Sequence, residues 1–414
     1  MRVRWSPVPA LWMIACFSAV AGAAGDDAAP MRVAAFRCDV TPALGITLYG
    51  HTVETIEHAL WAKGIVLDDG ERYVLCALDW RGLSRDQNAA FRRRLAEGAG
   101  TAASRVAVQC VHQHTAPSGG EAGEPFLREV ADRLAAAAEQ AVRRLEPFDR
   151  IGTGQAKVDR VASTRRIPTG DGKVITRYTS TKGKPELREM PEGDIDPFLK
   201  TVTFARGQKP LVRLHYYATH PQSFYLDGRV SIDFPGMARE RLEEEEGVPQ
   251  IYFTGCGGDV GAGKYNDGSR EAREELAARL FAAMRTSASS TRWLPVDRIQ
   301  WRTTTLSLPS KKAPDDESIG PIEVSSLQIG PVHLLHLPGE PMVHYQLYAH
   351  EQMPDDFVAV AGYGDGSPGY LCTEKAFDEG GYEPRASRVA PHSEPLVKQA
   401  IRRLLGLESN AAVP

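Results

Sequence analysis

The chain is short of cysteine, has no internal repeat and no basic block, and carries no apolar run long enough to cross a bilayer beyond its first two dozen residues. Each shortage closes a class of function. Six cysteines in 414 residues, widely spaced and without a CxxC pair, exclude a disulfide scaffold and a thiolate zinc site. Cys16 lies in the N-terminal apolar run; Cys38, Cys76, Cys110, Cys256 and Cys372 remain. An odd set leaves at least one thiol free or paired between chains, and such residues usually serve as small buried apolar groups. A formal net charge of -4 with no cluster of lysine and arginine excludes a phosphate-tracking surface, so nucleic acid is not an expected partner. With neither repeat nor clean linker, the simplest architecture is α/β: a single mixed α/β domain with β-sheets flanked by helices, spanning residues 31–408.

What is present begins at the N-terminus. Arg2 and Arg4 precede an apolar run from Val8 to Val20, and Ala21-Gly22-Ala23 supplies small residues for cleavage, so residues 1–24 read as a secretory signal peptide. A secreted or periplasmic protein with no membrane span after cleavage is expected. Gly64 to Leu67 and Tyr73 to Leu78 flank an Asp-Asp-Gly turn and predict a hairpin ending at Asp79, a cleft or turn residue. Ser84 to Glu97 and a stripe from Phe126 to Leu145 predict helices, the second opened by Pro125. The polar, glycine-rich stretch from Ile151 to Glu192 predicts a functional or disordered loop.

The chemistry gathers where strands stop. Val108-Gln109-Cys110-Val111 leads to His112-Gln113-His114 and a Pro/Gly loop; strand alternation would turn both imidazoles into one space, as half of a metal site or as a wet surface pair. A second strand ends at Thr219-His220-Pro221, and a third at Pro338-Gly339-Glu340. Two imidazoles and a carboxylate suit a catalytic zinc with a position left for water, which implies an exported metallohydrolase. His333 and His336 fall on opposite faces of one strand and read as structural. Gly258 to Lys264 spells GxxxxGK, but Tyr265 replaces the hydroxyl residue a phosphate loop needs; glycines admitting backbone to a metal shell fit better.

These blocks resemble the neutral (non-lysosomal) ceramidases and their bacterial relatives. Asp39-Val40-Thr41-Pro42 is similar to that family's opening block and His112-Gln113-His114-Thr115-Ala116-Pro117 to its His-Thr-His-Ser-Gly-Pro motif. Ala218-Thr219-His220-Pro221, Leu337-Pro338-Gly339-Glu340 and the Tyr370, Thr373, Tyr382-Glu383, Pro391-His392 series follow in the family's order. The resemblance implies Zn2+ bound by His112, His220, Glu340 and Tyr370, with His114, Tyr382 and Arg165 acting on the substrate and His392 orienting a neighbour. It implies hydrolysis of an N-acyl amide in a small-molecule or lipid-like substrate. An esterase or deacetylase acting on a secreted glycan, and a non-catalytic binding protein, are the alternatives. Two departures matter: Gly261 stands where the family has a serine, and the chain is short, lacking the immunoglobulin-like C-terminal domain and much of the sequence between His220 and Glu340. The first puts in doubt either ceramide as substrate or a serine-dependent mechanism and leaves metal-water hydrolysis intact; the second suits a smaller or more polar acyl amide.

Overall fold

The computed structural model describes residues 30–409, apart from residues 49, 122, 225–227, 297 and 365–367; the expected signal peptide and Cys16 lie outside the described residues. Among the described residues no helix is long and apolar enough to cross a membrane.

Two sheets form the frame. The predicted hairpin is present, with Trp61–Asp68 antiparallel to Arg72–Leu78, and these strands sit inside a nine-stranded sheet. Period-two alternation sorts their side chains between two apolar clusters. Ile65, Leu67, Leu75 and Ala107 face one way, and Val66, Val74, Cys76 and Val108 the other. The second face is covered by the helices Arg85–Ala99 and Glu124–Val142, close to their expected positions. The first is covered by a five-stranded sheet, whose outer side carries the helices Asp233–Glu246 and Arg270–Ser289. The result is a four-layered sandwich, mixed α/β with helices flanking the sheets as expected.

Part of the five-stranded sheet comes from the stretch expected to be a loop. Arg150–Lys157 is a strand pairing with Phe198–Arg206, and its glycines disguise it. A Cβ on Gly154 would stand 2.0 Å from the Ser287 carbonyl oxygen, so the outer helix packs directly on backbone there. The remainder, to Glu192, is ordered around Arg177. Its fully buried guanidinium donates to the carbonyls of Thr164, Leu187, Met190, Pro191 and Glu192. Two acids of the Glu243 to Glu246 run point inward: Glu243 pairs with buried Lys63 at 2.5 Å and Glu246 with Arg213 at 2.7 Å. Three residues apart on a helix, these two share its inward side.

Candidate metal centre

His112, His114, His220, Glu340, Tyr370, Tyr382 and Arg165 meet at one end of the sandwich. The strand Val106–Cys110 stops two residues before His112, which takes φ 76° in the left-handed region. Such a conformation costs a β-carbon-bearing residue about 1–2 kcal/mol. A left-handed kink, rather than the expected strand alternation, therefore brings the His112 and His114 Nε2 atoms to 3.3 Å. His220 follows the strand Lys209–Tyr217 of the other sheet. Glu340 follows the strand Val332–Pro338 and bridges to Tyr370, so these two enter side by side.

Both imidazoles are pinned through the ring nitrogen that faces away. His112 Nδ1 donates to the Arg81 carbonyl at 2.6 Å and His220 Nδ1 to the Gly257 carbonyl at 2.6 Å. With Nδ1 protonated, each Nε2 of the neutral ring presents a lone pair. Burial pushes the His220 imidazole below its usual pKa, the neutral state a ligand requires. Both Nε2 atoms stand 3.3 Å from Glu340 Oε2, which is buried and has no hydrogen-bond donor. Donor atoms bound at about 2.1 Å in tetrahedral geometry lie about 3.4 Å apart, so these spacings and this orphaned oxygen fit a divalent cation. The Nε2 and Nδ1 atoms of His112, His114 and His220 offer one ligand atom each within 4.8 Å of one another, so His114 is also within metal-ligand reach.

The glycine loop lets this happen. A Cβ on Gly258 would fall 2.5 Å from the Glu340 carbonyl oxygen, while the Gly258 amide donates to the Pro341 carbonyl at 2.9 Å. Backbone thus lies against the acid-bearing turn, and a side chain would push it away. Lys264 is turned elsewhere, donating to the Arg188 and Met190 carbonyls at 2.6 Å, which disposes of the phosphate-loop reading.

Arg165 forms the floor. Its Nη1 lies 3.4 Å from both the Tyr370 hydroxyl and His220 Nε2, and its guanidinium packs 5.0 Å from the Tyr382 ring centroid. Glu383, completely buried, pairs with Arg165 at 3.2 Å and with Arg166 at 3.0 Å. Burial disfavours the charge on Arg165, but Tyr370 and Glu383 outweigh it and hold the group above its usual pKa. Tyr370 and Tyr382 meet edge to face at 5.7 Å, and Tyr382 lines the cleft.

Two residues stand apart from the cluster. Asp79 does not reach the cleft: it is fully buried in a bidentate pair with Arg239 at 2.7 and 2.9 Å. His392 is exposed in a short 3-10 turn and has no part in the cluster. One residue went unnoticed in the sequence. Tyr363, at φ 61°, stacks on His112 with centroids 4.2 Å apart and places its hydroxyl 3.4 Å from His220 Nδ1. Its only sequence signal is an aromatic at the end of an apolar strand running into glycine.

No family model and no curated protein matches the sequence. Solved structures do match. A neutral ceramidase from Pseudomonas aeruginosa superposes with a TM-score of 0.71 over 94% of this chain and 77% of its own, at 16% identity. A ceramidase complexed with C2 gives 0.70 over 93% of this chain and 77% of its own, at 15% identity. The chain has the neutral ceramidase fold. At such low identity the shared property is the architecture, and the chemistry has to be argued from the cluster itself.

Proposed function

We propose that the chain is an exported, zinc-dependent hydrolase of N-acyl amides, with His112, His220, Glu340 and Tyr370 as the metal ligands. One observation carries this reading: two imidazoles tautomerically fixed by backbone carbonyls present Nε2 to a single buried carboxylate oxygen that has no donor. When bound, zinc supplies a Lewis acid and a water of lowered pKa.

The protein's own groups do the rest. His114 is half-buried; burial and the neighbouring imidazoles hold it well below its usual pKa, so it faces the cleft as a neutral ring. In that state it can donate one hydrogen bond to the oxygen of a scissile carbonyl as negative charge develops there. The Tyr382 hydroxyl, on the same cleft wall, offers a second donor. Burial and the neighbouring Glu340 push the Tyr370 hydroxyl well above its usual pKa, a push that Arg165 opposes; Arg165 also packs against both tyrosine rings, with Glu383 fixing its own orientation. The fold neighbours named as ceramidases favour amide over ester chemistry.

Metal analysis tests this. Purified protein should hold one divalent ion per chain, His220→Ala should lose it, and the metal-loaded wild type should cleave at least one simple N-acyl amide. A metal-free wild type that cannot be loaded, or a His220→Ala variant with full occupancy, refutes the assignment.

A further inference from the structure

One peptide unit lies between the supports of two of the proposed metal ligands. The Gly257 carbonyl accepts from His220 Nδ1 at 2.6 Å, and the N–H of the same unit, on Gly258, donates to the Pro341 carbonyl at 2.9 Å, one residue beyond Glu340. A trans peptide is planar and rigid, with its C=O and N–H pointing opposite ways, so this unit is a spacer between the His220 ring and the turn that carries Glu340. Two glycines offer no side chain to anchor it. Its placement has to come from the residues on either side.

Both flanking residues are tied to the helix Val343–Gln352, which follows directly on the Glu340 turn. Asp259 Oδ1 accepts from the Val343 amide at 2.8 Å, and the Cys256 amide donates to Gln346 Oε1 at 3.0 Å. Gln346 is buried, and its Nε2 donates at 2.6 Å to Oδ2 of Asp196, a buried acid whose other oxygen accepts from the Phe198 amide at 3.0 Å. These partners admit one orientation of the amide, since the reverse would set N–H against N–H and oxygen against oxygen. They also call for glutamine: neither leucine nor an ionised glutamate can both accept from Cys256 and donate to Asp196. Gly255 makes room for the contact, because a Cβ there would fall 2.4 Å from Gln346 Oε1.

We infer that Gln346 is a positioning residue for the metal centre, acting through backbone: it holds the Gly257–Gly258 peptide where that peptide sets His220 against Glu340. The metal half of this statement rests on the ligand assignment above. The hold on His220 does not, and it is open to measurement without metal.

The test uses two variants and a control. Gln346→Leu removes both hydrogen bonds, and Gln346→Glu/Asp196→Asn exchanges acceptor and donor between the two positions while keeping their total charge. Leu280→Ala, which truncates a buried leucine of the outer helix Arg270–Ser289, controls for lost stability alone. Zinc affinity is measured by competition with a chelator, well below the melting temperature. Gln346→Leu should bind about ten-fold more weakly than wild type, the low end of the cost of losing a group that orients a ligand. The exchanged pair should recover most of that loss, and Leu280→Ala should melt lower yet bind zinc as wild type does. In chelator-treated protein, NMR should show the His220 Nδ1 proton exchanging with solvent about ten-fold faster in Gln346→Leu, while the His112 Nδ1 proton, held by the Arg81 carbonyl, keeps its rate. If Gln346→Leu does not fold, Gln346→Glu alone, which sets an acid against Asp196, takes its place with the same expectations. Unchanged His220 exchange overturns the positioning role, and so does a loss of zinc affinity as large in Leu280→Ala as in the Gln346 variant. A wild type that binds no zinc refutes the ligand assignment alone, and the exchange rates still decide the hold on His220.

Discussion

Replacing Glu340 by glutamine should move stability in opposite directions with and without metal. In the metal-free protein the Glu340 Oε2 atom faces two Nε2 lone pairs at 3.3 Å, because both histidines spend their ring N–H on backbone carbonyls. A buried acceptor left without a donor costs about 1–3 kcal/mol, and a glutamine amide of the same shape can turn an N–H toward one of those nitrogens. Chelator-treated Glu340→Gln should therefore melt at or above the wild-type temperature, by as much as this penalty allows. Metal reverses the order. Loss even of an outer group that orients a ligand costs 10–100-fold in affinity, so losing an ionised ligand should cost at least about 100-fold, or about 2.7 kcal/mol. Since a ligand stabilises the folded state in proportion to the logarithm of its concentration over Kd, the variant should forfeit that much of the zinc-induced gain. Calorimetric melts in chelator and across a zinc titration measure both arms. If the variant loses the same stability in chelator as in zinc, Glu340 is a structural acid and the metal site is wrongly drawn.

Tyr363→Phe keeps the ring on His112 and should change melting little, whereas Tyr363→Ala should cost about 3 kcal/mol and weaken zinc binding; equal effects would mean the stacking does not position His112. Burial pushes His215 down to about 4 and His336 to about 3, both below the value of about 6.5 in an unfolded chain. The unfolded chain then binds more protons below pH 6.5, so the His215 contribution, about 3 kcal/mol, is complete above that pH and lost as pH falls through 4. Chelator-treated protein should show this as a steep fall in melting temperature between pH 6.5 and 4, and a flat profile would contradict it. Gly261→Ser should fold: the new Cβ would lie 3.2 Å from Thr179 Cγ2 and 3.8 Å from His220 Cβ, contacts that a shift of a few tenths of an ångström relieves. A melting loss larger than about 3 kcal/mol would show that this wall rejects a side chain.

The strand ends were legible because each pairs a β-branched or apolar run with Pro or Gly, and that punctuation places His112, His220 and Glu340 each just past the end of a strand without showing that they meet. Convergence needed the two sheets to stack, which depends on pairings between residues far apart in the chain. The His112 kink was hidden for a related reason: nothing in Val111-His112-Gln113 announces a left-handed residue, and the contacts that hold it, with Trp80, Arg81 and Tyr363, come from elsewhere in the chain. Arg150–Lys157 was missed because its glycines serve a helix packed on top of it, a tertiary demand that overrides local strand preference. Asp79 stayed open between cleft and turn for the opposite reason. A strand-end acid looks functional, and only the buried partner Arg239, contributed by a helix 160 residues further on, shows otherwise.

The Arg177 clamp has a mechanical consequence. The segment that carries Arg165 buries few apolar groups of its own, and a single guanidinium gathers carbonyls from both of its ends, at Thr164 and at Glu192. Such a segment cannot loosen by degrees. It should behave as one cooperative unit that is either clasped or released, with Arg165 held back at its base by Glu383 and the Asp259 carbonyl.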